Sequence, residues 1–369
     1  MKTMRRLIDI EIFWAVAVVT LGFLGLFYFF DLVEELKVVQ QNRAPGYGVP
    51  QAMLYTALLV PNHVYELLPI TVLIGTVFVM ARLAQSSEFT ILRTSGLGPF
   101  QALRHLARLG LIFIALTWAM GDYAGPWAER QAQAFKARAM GQSMIGSTGA
   151  WLRERGDDWQ QSIQILAARI NGEIAGIRIY EFDDRGRFKS MTSAQTGTYD
   201  DDTGSWTLSD VDRRTYTQSD NAHPDQSRQT LAQWSWATRV TPEMVSVALL
   251  NPDRMRTIDL FQYIRYLQTN EQNSQRYEIV FWNKVFYPIS CLVMIVLALP
   301  FAYLHFRSGQ IANLVFVGVM IGVSFFLLNN VFGHIGNLRS WSPWLAAALP
   351  GLIYTFISLL AFGWLVIRQ

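Results

Sequence analysis

The sequence predicts a helical membrane protein with six transmembrane helices and one β domain inserted between the third and fourth helices. Hydrophobic residues make up 51% of the 369 residues and charged residues only 16%, a low charged fraction for a soluble protein. The apolar residues are gathered into runs that approach the ~20 residues a helix needs to cross a bilayer. Between the third and fourth runs, the pattern changes to alternating apolar and polar residues with turn clusters, which is typical of β-strands.

Six apolar runs account for the predicted membrane helices. They occupy residues 12–30, 67–81, 109–121, 285–304, 311–332 and 345–367. The third is the shortest, and it extends back through residue 100 if Arg104, His105 and Arg108 reach the interface. The first is longer than the apolar part of a signal peptide, and no small-residue cleavage site follows it. In the fifth, Gly318 and Gly322 form a GxxxG pattern that is typical of close helix packing.

The distribution of basic residues predicts the orientation. Lys and Arg accumulate in short cytoplasmic segments of membrane proteins. Here they occur in the N-terminal MKTMRR, after the second run, after the fourth run and at the C-terminus. An even number of spans places these segments on one side. We therefore expect both termini in the cytoplasm and the long region between the third and fourth spans outside the membrane on the opposite face.

The sequence divides into residues 1–126 with three spans, an external region at 127–277, and residues 278–369 with three more spans. The external region begins and ends with helical patterns, at 127–140 and 257–270. SIQILAARI and IAGIRIYEF are rich in β-branched residues, and the clusters DDRGR and DDDTGS place Gly where a turn favours a positive φ. We expect a mostly antiparallel β-sandwich or open barrel between the two helical segments.

The sequence contains no motif that indicates catalysis or cofactor binding. It has no GxxxxGK[ST] loop, no HExxH, no CxxC and no GxSxG. The five histidines are scattered, and the single cysteine, Cys291, lies in the fourth span. We therefore expect no catalytic residue, no metal site and no cofactor in this chain. The net charge of +3 is too small to indicate nucleic acid binding.

A short polar segment at 86–98, SSEFTILRTSGLG, separates the second and third spans. Ser86 and Ser87 are suitable N-caps, and Glu88 falls in the first helical turn, where the helix dipole favours an acid. One helix face holds three residues at spacings i, i+3 and i+4: Phe89, Leu92 and Arg93. A short helix held between two spans on the cytoplasmic face suits docking to a soluble ATPase. The alternative is an amphipathic loop that lies on the lipid headgroups.

Five stretches, in this order along the chain, resemble the lipopolysaccharide-export permeases of the LptF/LptG family, and its LptG members most closely. They are YELLPITVLIG (65–75), SSEFTILRTSG (86–96), GDYAGPWAERQAQAFKARAM (121–140), GAWL (149–152) and LFQYIRYLQTNEQNSQRYEIVFWNKVFYP (260–288). The resemblance implies six transmembrane helices with a periplasmic β-jellyroll between the third and fourth, in a multi-pass protein of the bacterial inner membrane.

The resemblance also implies partners. An LptF-like permease would pair with this chain, and an LptB-like ATPase dimer, which binds ATP and Mg, would hold the coupling helices on the cytoplasmic face. LptC-like and LptA-like jellyroll proteins would form the periplasmic bridge that receives lipopolysaccharide from the inner membrane. Segment 86–96 matches the coupling-helix region, with Glu88 at the family's acidic position toward the ATPase.

Basic residues on the external side are candidates for binding the phosphates of lipopolysaccharide. The candidates are Lys37, Arg43, Arg130, Lys136 and Arg138. Two lysines of the family correspond to Asp31 and Asn62 here, which leaves the detailed headgroup site open. Exposed basic residues near a membrane also neutralise nearby acids such as Glu34, Glu35 and Glu129.

The strands of the external domain suggest an acyl-chain path. Ile165, Ile177 and Ile179 are candidate lining residues, although the same alternation builds the closed core of any sandwich. Two further functions stay open from the residues alone. One is a permease for another lipid or a lipoprotein, and the other is a membrane scaffold that transports nothing.

Overall fold

A computed structural model describes the chain apart from residues 1, 42–45, 87, 95, 97, 141–143, 157–158, 169–171, 202, 218–224, 250–251, 304–310, 340 and 368–369. The helices of the described part are α1 (Lys2–Gln40), α2 (Val49–Gln85), α3 (Glu88–Thr94), α4 (Pro99–Ala119), α5 (Gly125–Met140), α6 (Pro242–Leu249), α7 (Thr257–Thr269), α8 (Gln275–Leu297), α9 (Ile311–Leu338) and α10 (Pro343–Ile367). The strands are β1 (Met144–Arg155), β2 (Trp159–Ala168), β3 (Ile174–Asp183), β4 (Phe188–Asp200), β5 (Ser205–Thr217) and β6 (Asp225–Ala237).

The predicted fold class is confirmed. Among the described residues, six helices are long and apolar enough to cross a membrane, and an antiparallel six-stranded sheet is inserted between the third and fourth of them. The third is continuous from Pro99 to Met140, because a π-helical turn at Met120–Ala124 joins α4 to α5. The second begins well before its apolar run and contains Pro61 and Pro69, which membrane helices tolerate better than soluble ones.

The chain divides into two compact units. One consists of Met1–Gln40, Ala52–Arg130 and Gln275–Gln369, and the other of Gln41–Gln51 and Gln131–Ser274. The first unit contains the apolar helices and the second contains the sheet.

Helix α2 lies at the centre of the helical unit. It contributes to two apolar clusters, one shared with α1, α4 and α8 and the other with α8, α9 and α10. Small residues allow the neighbouring helices to approach closely: a Cβ on Gly75 would lie 2.7 Å from the backbone nitrogen of Val16 in α1. A Cβ on Gly322 of α9 would lie 2.7 Å from the Ile70 side chain. The GxxxG pattern of α9 therefore packs against α2.

The sheet runs in the order β1-β2-β3-β4-β5-β6, and each strand pairs antiparallel with the next. In the described part of the chain, β1 and β6 do not pair with each other, so the sheet stays open. The Trp236 indole of β6 nevertheless donates to the Gln161 side chain of β2 at 3.3 Å. The sheet therefore bends across itself, and the inner faces of its two halves meet, as expected for an open barrel.

The predicted turns occur where the Gly-containing clusters placed them. Gly186 between β3 and β4 has a φ of 74°, and Gly204 between β4 and β5 has a φ of 62°. In the first turn, the Asp183 carboxylate accepts hydrogen bonds from the backbone nitrogens of Arg187 and Arg185, at 2.7 and 3.0 Å. The hydrogen bond from the Arg187 backbone holds the pKa of the Asp183 carboxyl below its usual value.

Candidate functional site

Helix α3 is the short segment between α2 and α4, and its two sides differ. The Phe89 side chain is 4% exposed and belongs to the apolar cluster shared by α1, α2, α4 and α8. Its ring packs edge-on against Tyr303, with ring centroids 4.8 Å apart. Glu88 and Ile91 are exposed. The helix is therefore anchored to the helical unit through Phe89 and presents Glu88 away from it.

The ends of α3 are defined by the chain on both sides. The Ser86 hydroxyl donates to the Leu83 carbonyl at 3.4 Å, so Ser86 closes the end of α2. Gly96 follows α3 with a φ of 98°, which a side chain would strain, and Pro99 then begins α4. Ser87 and the side chains of Leu92 and Arg93 lie outside the described residues.

Two polar contacts join the helices on either side of α3 to α1. Arg82, near the end of α2, pairs with Glu11. His105, in the second turn of α4, lies 2.9 Å from the Asp9 carboxylate. These contacts join segments far apart in sequence and were not predicted. The signal available was the presence of two acids at the start of a membrane helix, where unpaired charge is costly.

The positions where the family resemblance places lysines form other contacts here. The Asp31 carboxylate lies 2.6 Å from Nε2 of His63, which joins α1 to α2. The Asn62 amide donates to the Glu129 carboxylate at 2.8 Å and joins α2 to α5. Glu129 is only 1% exposed. Both positions are therefore used in contacts between helices.

A buried lysine lies beside the π-helical turn. Lys284 of α8 is 8% exposed, and its ammonium donates to the Gly121 carbonyl at 3.2 Å. The ammonium is also 5.9 Å from the centroid of the Tyr65 ring. A π-turn changes the i→i−4 hydrogen-bond pattern locally and is common at functional sites. An ionisable residue in a membrane helix is a candidate functional residue by itself, and Lys284 was not predicted.

The predicted phosphate-binding residues are distributed over both units. Lys37 at the end of α1 and Arg130 of α5 are exposed in the helical unit. In the sheet unit, Arg138 is exposed, whereas Lys136 is half-buried, with its ammonium 6.0 Å from the centroid of the Tyr47 ring. Arg43 lies outside the described residues.

The predicted acyl-chain residues lie together on the inner face of the sheet. Ile163 aligns with Ile179, and Ile165 aligns with Ile177, across β2 and β3. All four side chains have 0% exposure. A lipid therefore reaches them only if the inner faces of the sheet separate.

A polar cluster borders this apolar face. The Glu181 carboxylate accepts hydrogen bonds from the Gln161 amide at 3.1 Å, from Arg213 at 3.2 Å and from the Ser190 hydroxyl. Gln161 and Glu181 are aligned in the register, two residues along their strands from Ile163 and Ile179. The cluster therefore ends the apolar lining at one side with a half-buried carboxylate that has three hydrogen-bond donors.

Comparison with known proteins gives the family. The family model for the lipopolysaccharide export system permease LptF/LptG matches residues 6–366. The chain belongs to the LptF/LptG family. It is 31% identical to the lipopolysaccharide export system permease protein LptG of Escherichia coli K12, over 93% of this chain and 94% of that protein. The LptG protein of Haemophilus influenzae is 25% identical over 100% of this chain and 99% of its own length. The predicted resemblance is therefore confirmed.

Membership of the LptF/LptG family makes the chain a transporter permease subunit for lipopolysaccharide export in a multi-pass membrane fold. The helical and sheet units of this LptF/LptG member carry two separate sets of candidate residues. The helical unit carries α3 and the polar contacts of Asp31, Asn62 and Lys284. The sheet unit holds the buried isoleucine face.

Proposed function

We propose that this chain is the LptG-like subunit of an ATP-driven transporter that extracts lipopolysaccharide from the inner membrane and delivers it toward the outer membrane. The observation that carries the proposal is the family match over residues 6–366. In this proposal, both termini face the cytoplasm and the sheet unit is periplasmic. This orientation agrees with the accumulation of Lys and Arg at both termini and in the segments after the second and fourth spans.

Force would enter the chain through α3. ATP and Mg are bound by a separate LptB-like ATPase dimer, and this chain supplies no nucleotide motif of its own. Glu88 is exposed for contact with a basic groove, while Phe89 fixes the helix to the apolar core. The contacts of Arg82 and His105 with α1 extend this attachment to both neighbouring helices. A movement of the ATPase would therefore be transmitted to three helices together.

The other partners are an LptF-like permease, a membrane-anchored LptC-like jellyroll protein and an LptA-like bridge. Helices α1 and α9 have little of their length buried within the chain, and they expose large apolar side chains such as Phe29, Phe30 and Phe316. Such faces contact either lipid or a second permease subunit. Lipopolysaccharide phosphates would bind the basic residues Lys37, Arg43, Arg130, Lys136 and Arg138, and acyl chains would enter the sheet at Ile165, Ile177 and Ile179.

The test is reconstitution of this chain with its second permease and the ATPase in vesicles that contain lipopolysaccharide. We expect ATP hydrolysis stimulated by lipopolysaccharide and ATP-dependent release of lipopolysaccharide to a soluble jellyroll acceptor. Vesicles that contain only phospholipid are the matched control. If another lipid or a lipoprotein stimulates ATP hydrolysis equally, that molecule would take the place of lipopolysaccharide as the proposed substrate. Assembly without any stimulated hydrolysis would support the scaffold function instead.

A further inference from the structure

The outer face of β1–β3 carries a square of four side chains, Trp151, Arg153, Arg178 and Tyr180. Trp151 and Arg178 both align with Gln164 of β2, and Arg153 and Tyr180 both align with Ser162. They point away from the inner face, because the alternate residues Leu152 and Ile179 are 1% and 0% exposed. The two aromatic residues therefore occupy one diagonal of the square and the two arginines occupy the other.

The aromatic diagonal is an accessible stacked pair. The Trp151 and Tyr180 rings are nearly parallel, with an interplanar angle of 16° and centroids 6.2 Å apart. Trp151 is 53% exposed, although a large aromatic side chain gains most from burial. A stacked pair that leaves so much ring surface in water offers a platform for another flat apolar surface.

Among the described residues, the two arginines of the second diagonal have no carboxylate partner. Arg153 and Arg178 are exposed, and within the described residues neither lies within ion-pair distance of a carboxylate. Other arginines on the outer face have carboxylate partners. Arg214 and Arg228 lie 3.1 and 3.0 Å from the Asp212 carboxylate, and Arg155 pairs with Glu271. A guanidinium that is exposed and unpaired is free to bind an anion through two parallel hydrogen bonds.

We propose that this square binds the phosphorylated saccharide part of lipopolysaccharide. The aromatic platform stacks on the C–H face of a sugar ring, and the two guanidiniums bind phosphate groups at its edge. Ser162 and Gln164, between the corners, offer donors and acceptors for sugar hydroxyls. Strand spacing and rise make the square roughly 10 Å by 7 Å, the area of a small saccharide. The inference rests on the proposed function, which supplies the ligand, and it adds a sugar-binding face opposite the acyl-chain face.

The experiment measures saccharide binding to the full-length permease complex in lipid nanodiscs. The probe is the phosphorylated oligosaccharide obtained from lipopolysaccharide by complete removal of its acyl chains. We expect the double variant Arg153→Gln/Arg178→Gln to weaken binding at least tenfold, and Trp151→Ala to weaken it about fivefold. The matched control is Arg214→Gln, which changes an arginine on the same face that already has a carboxylate partner. This control should bind within twofold of the unaltered protein.

Two further probes identify the chemistry. Phosphatase treatment removes the phosphates of the oligosaccharide. The treated oligosaccharide should bind the unaltered protein as weakly as the untreated oligosaccharide binds the double variant. Inorganic phosphate should displace the probe only at concentrations far above that of the probe. Displacement by inorganic phosphate at an equal concentration, or unchanged probe binding in the double variant, would overturn the proposal. Loss of a jellyroll partner protein, with probe binding unaffected, would make the square a protein interface and would also overturn it.

Failure of this inference is distinguishable from failure of the proposed function. Intact lipopolysaccharide that co-purifies with the complex and is exported on ATP hydrolysis supports the transport function whatever the oligosaccharide does. If export is normal and the oligosaccharide does not bind the square, only the sugar-binding face is wrong. If neither lipopolysaccharide export nor oligosaccharide binding occurs, both proposals are wrong.

Discussion

Asn62 of α2 donates its side-chain amide to the Glu129 carboxylate of α5 at 2.8 Å, and Glu129 is almost completely buried. A buried carboxylate is stable only with hydrogen-bond donors around it. The contact therefore fixes α5 against α2 at the point where the third membrane helix leaves its π-turn. Asparagine at position 62 supplies this donor without a charge.

Replacing this donor tests the contact. Asn62→Leu removes a hydrogen bond from a buried carboxylate, which should cost about 1–3 kcal/mol of stability. Asn62→Lys keeps a donor and should cost less. The measurement is the thermal midpoint of the purified permease complex in detergent, monitored by size-exclusion chromatography. Asn337→Leu, which changes an exposed asparagine of the helical unit, is the control. Equal midpoints for Asn62→Leu and the unaltered protein would show that the contact contributes nothing.

Reversal of the charge on α3 tests the proposed coupling. Glu88→Lys should weaken association with the ATPase by about 2 kcal/mol or more, because an acid in a basic groove is replaced by a repelled base. The helical unit should stay folded, since Glu88 is exposed. Association is measured by co-purification of the ATPase and by coupled hydrolysis. The control is Glu34→Lys, which makes the same charge change at an exposed residue near the C-terminal end of α1. It should not change association with the ATPase. Normal association and transport in Glu88→Lys would show that the docking assignment is wrong.

The sequence predicted the elements of this protein better than the contacts between them. Apolar runs such as 311–332 are long enough to exclude other structures, and α9 begins at the predicted residue. Glu129 and Lys284 were not predicted as buried contacts because their partners are 67 and 163 residues away in sequence. Those contacts depend on helix packing and on a π-turn that shifts one helix relative to its own continuation. The local sequence pattern predicts neither the helix packing nor the π-turn.

The sheet interior gives a prediction about passage of acyl chains. Photocrosslinking residues at positions 165, 177 and 179 should form adducts with lipopolysaccharide only when ATP is present, because these buried side chains must be uncovered first. Position 198 is exposed and aligns with Thr207. It points outward, because the residues on either side of Thr207, Trp206 and Leu208, are buried on the inner face, so it serves as the control. Adducts are detected by immunoblotting for lipopolysaccharide. Their absence at all three inner positions, with adducts elsewhere in the complex, would show that this sheet is a closed core.

Two basic residues, Lys37 and Lys136, give the last prediction, on the binding of phosphate. Lys37→Glu together with Lys136→Glu should lower the lipopolysaccharide bound per purified complex several-fold, because each change replaces an attraction to phosphate with repulsion. Complex assembly and basal ATP hydrolysis should stay near normal, since Lys37 is exposed and Lys136 is only half-buried.

The single variants separate the two residues. Lys136 also lies 6.0 Å from the Tyr47 ring, so Lys136→Glu alone is expected to lower stability slightly through loss of the cation–π contact. Lys37→Glu alone should change only lipid occupancy. Lys189→Glu reverses an exposed lysine elsewhere on the sheet unit and is the matched control. Unchanged lipid occupancy in the double variant would mean that these lysines neutralise local acids such as Glu34 and do not hold the phosphates.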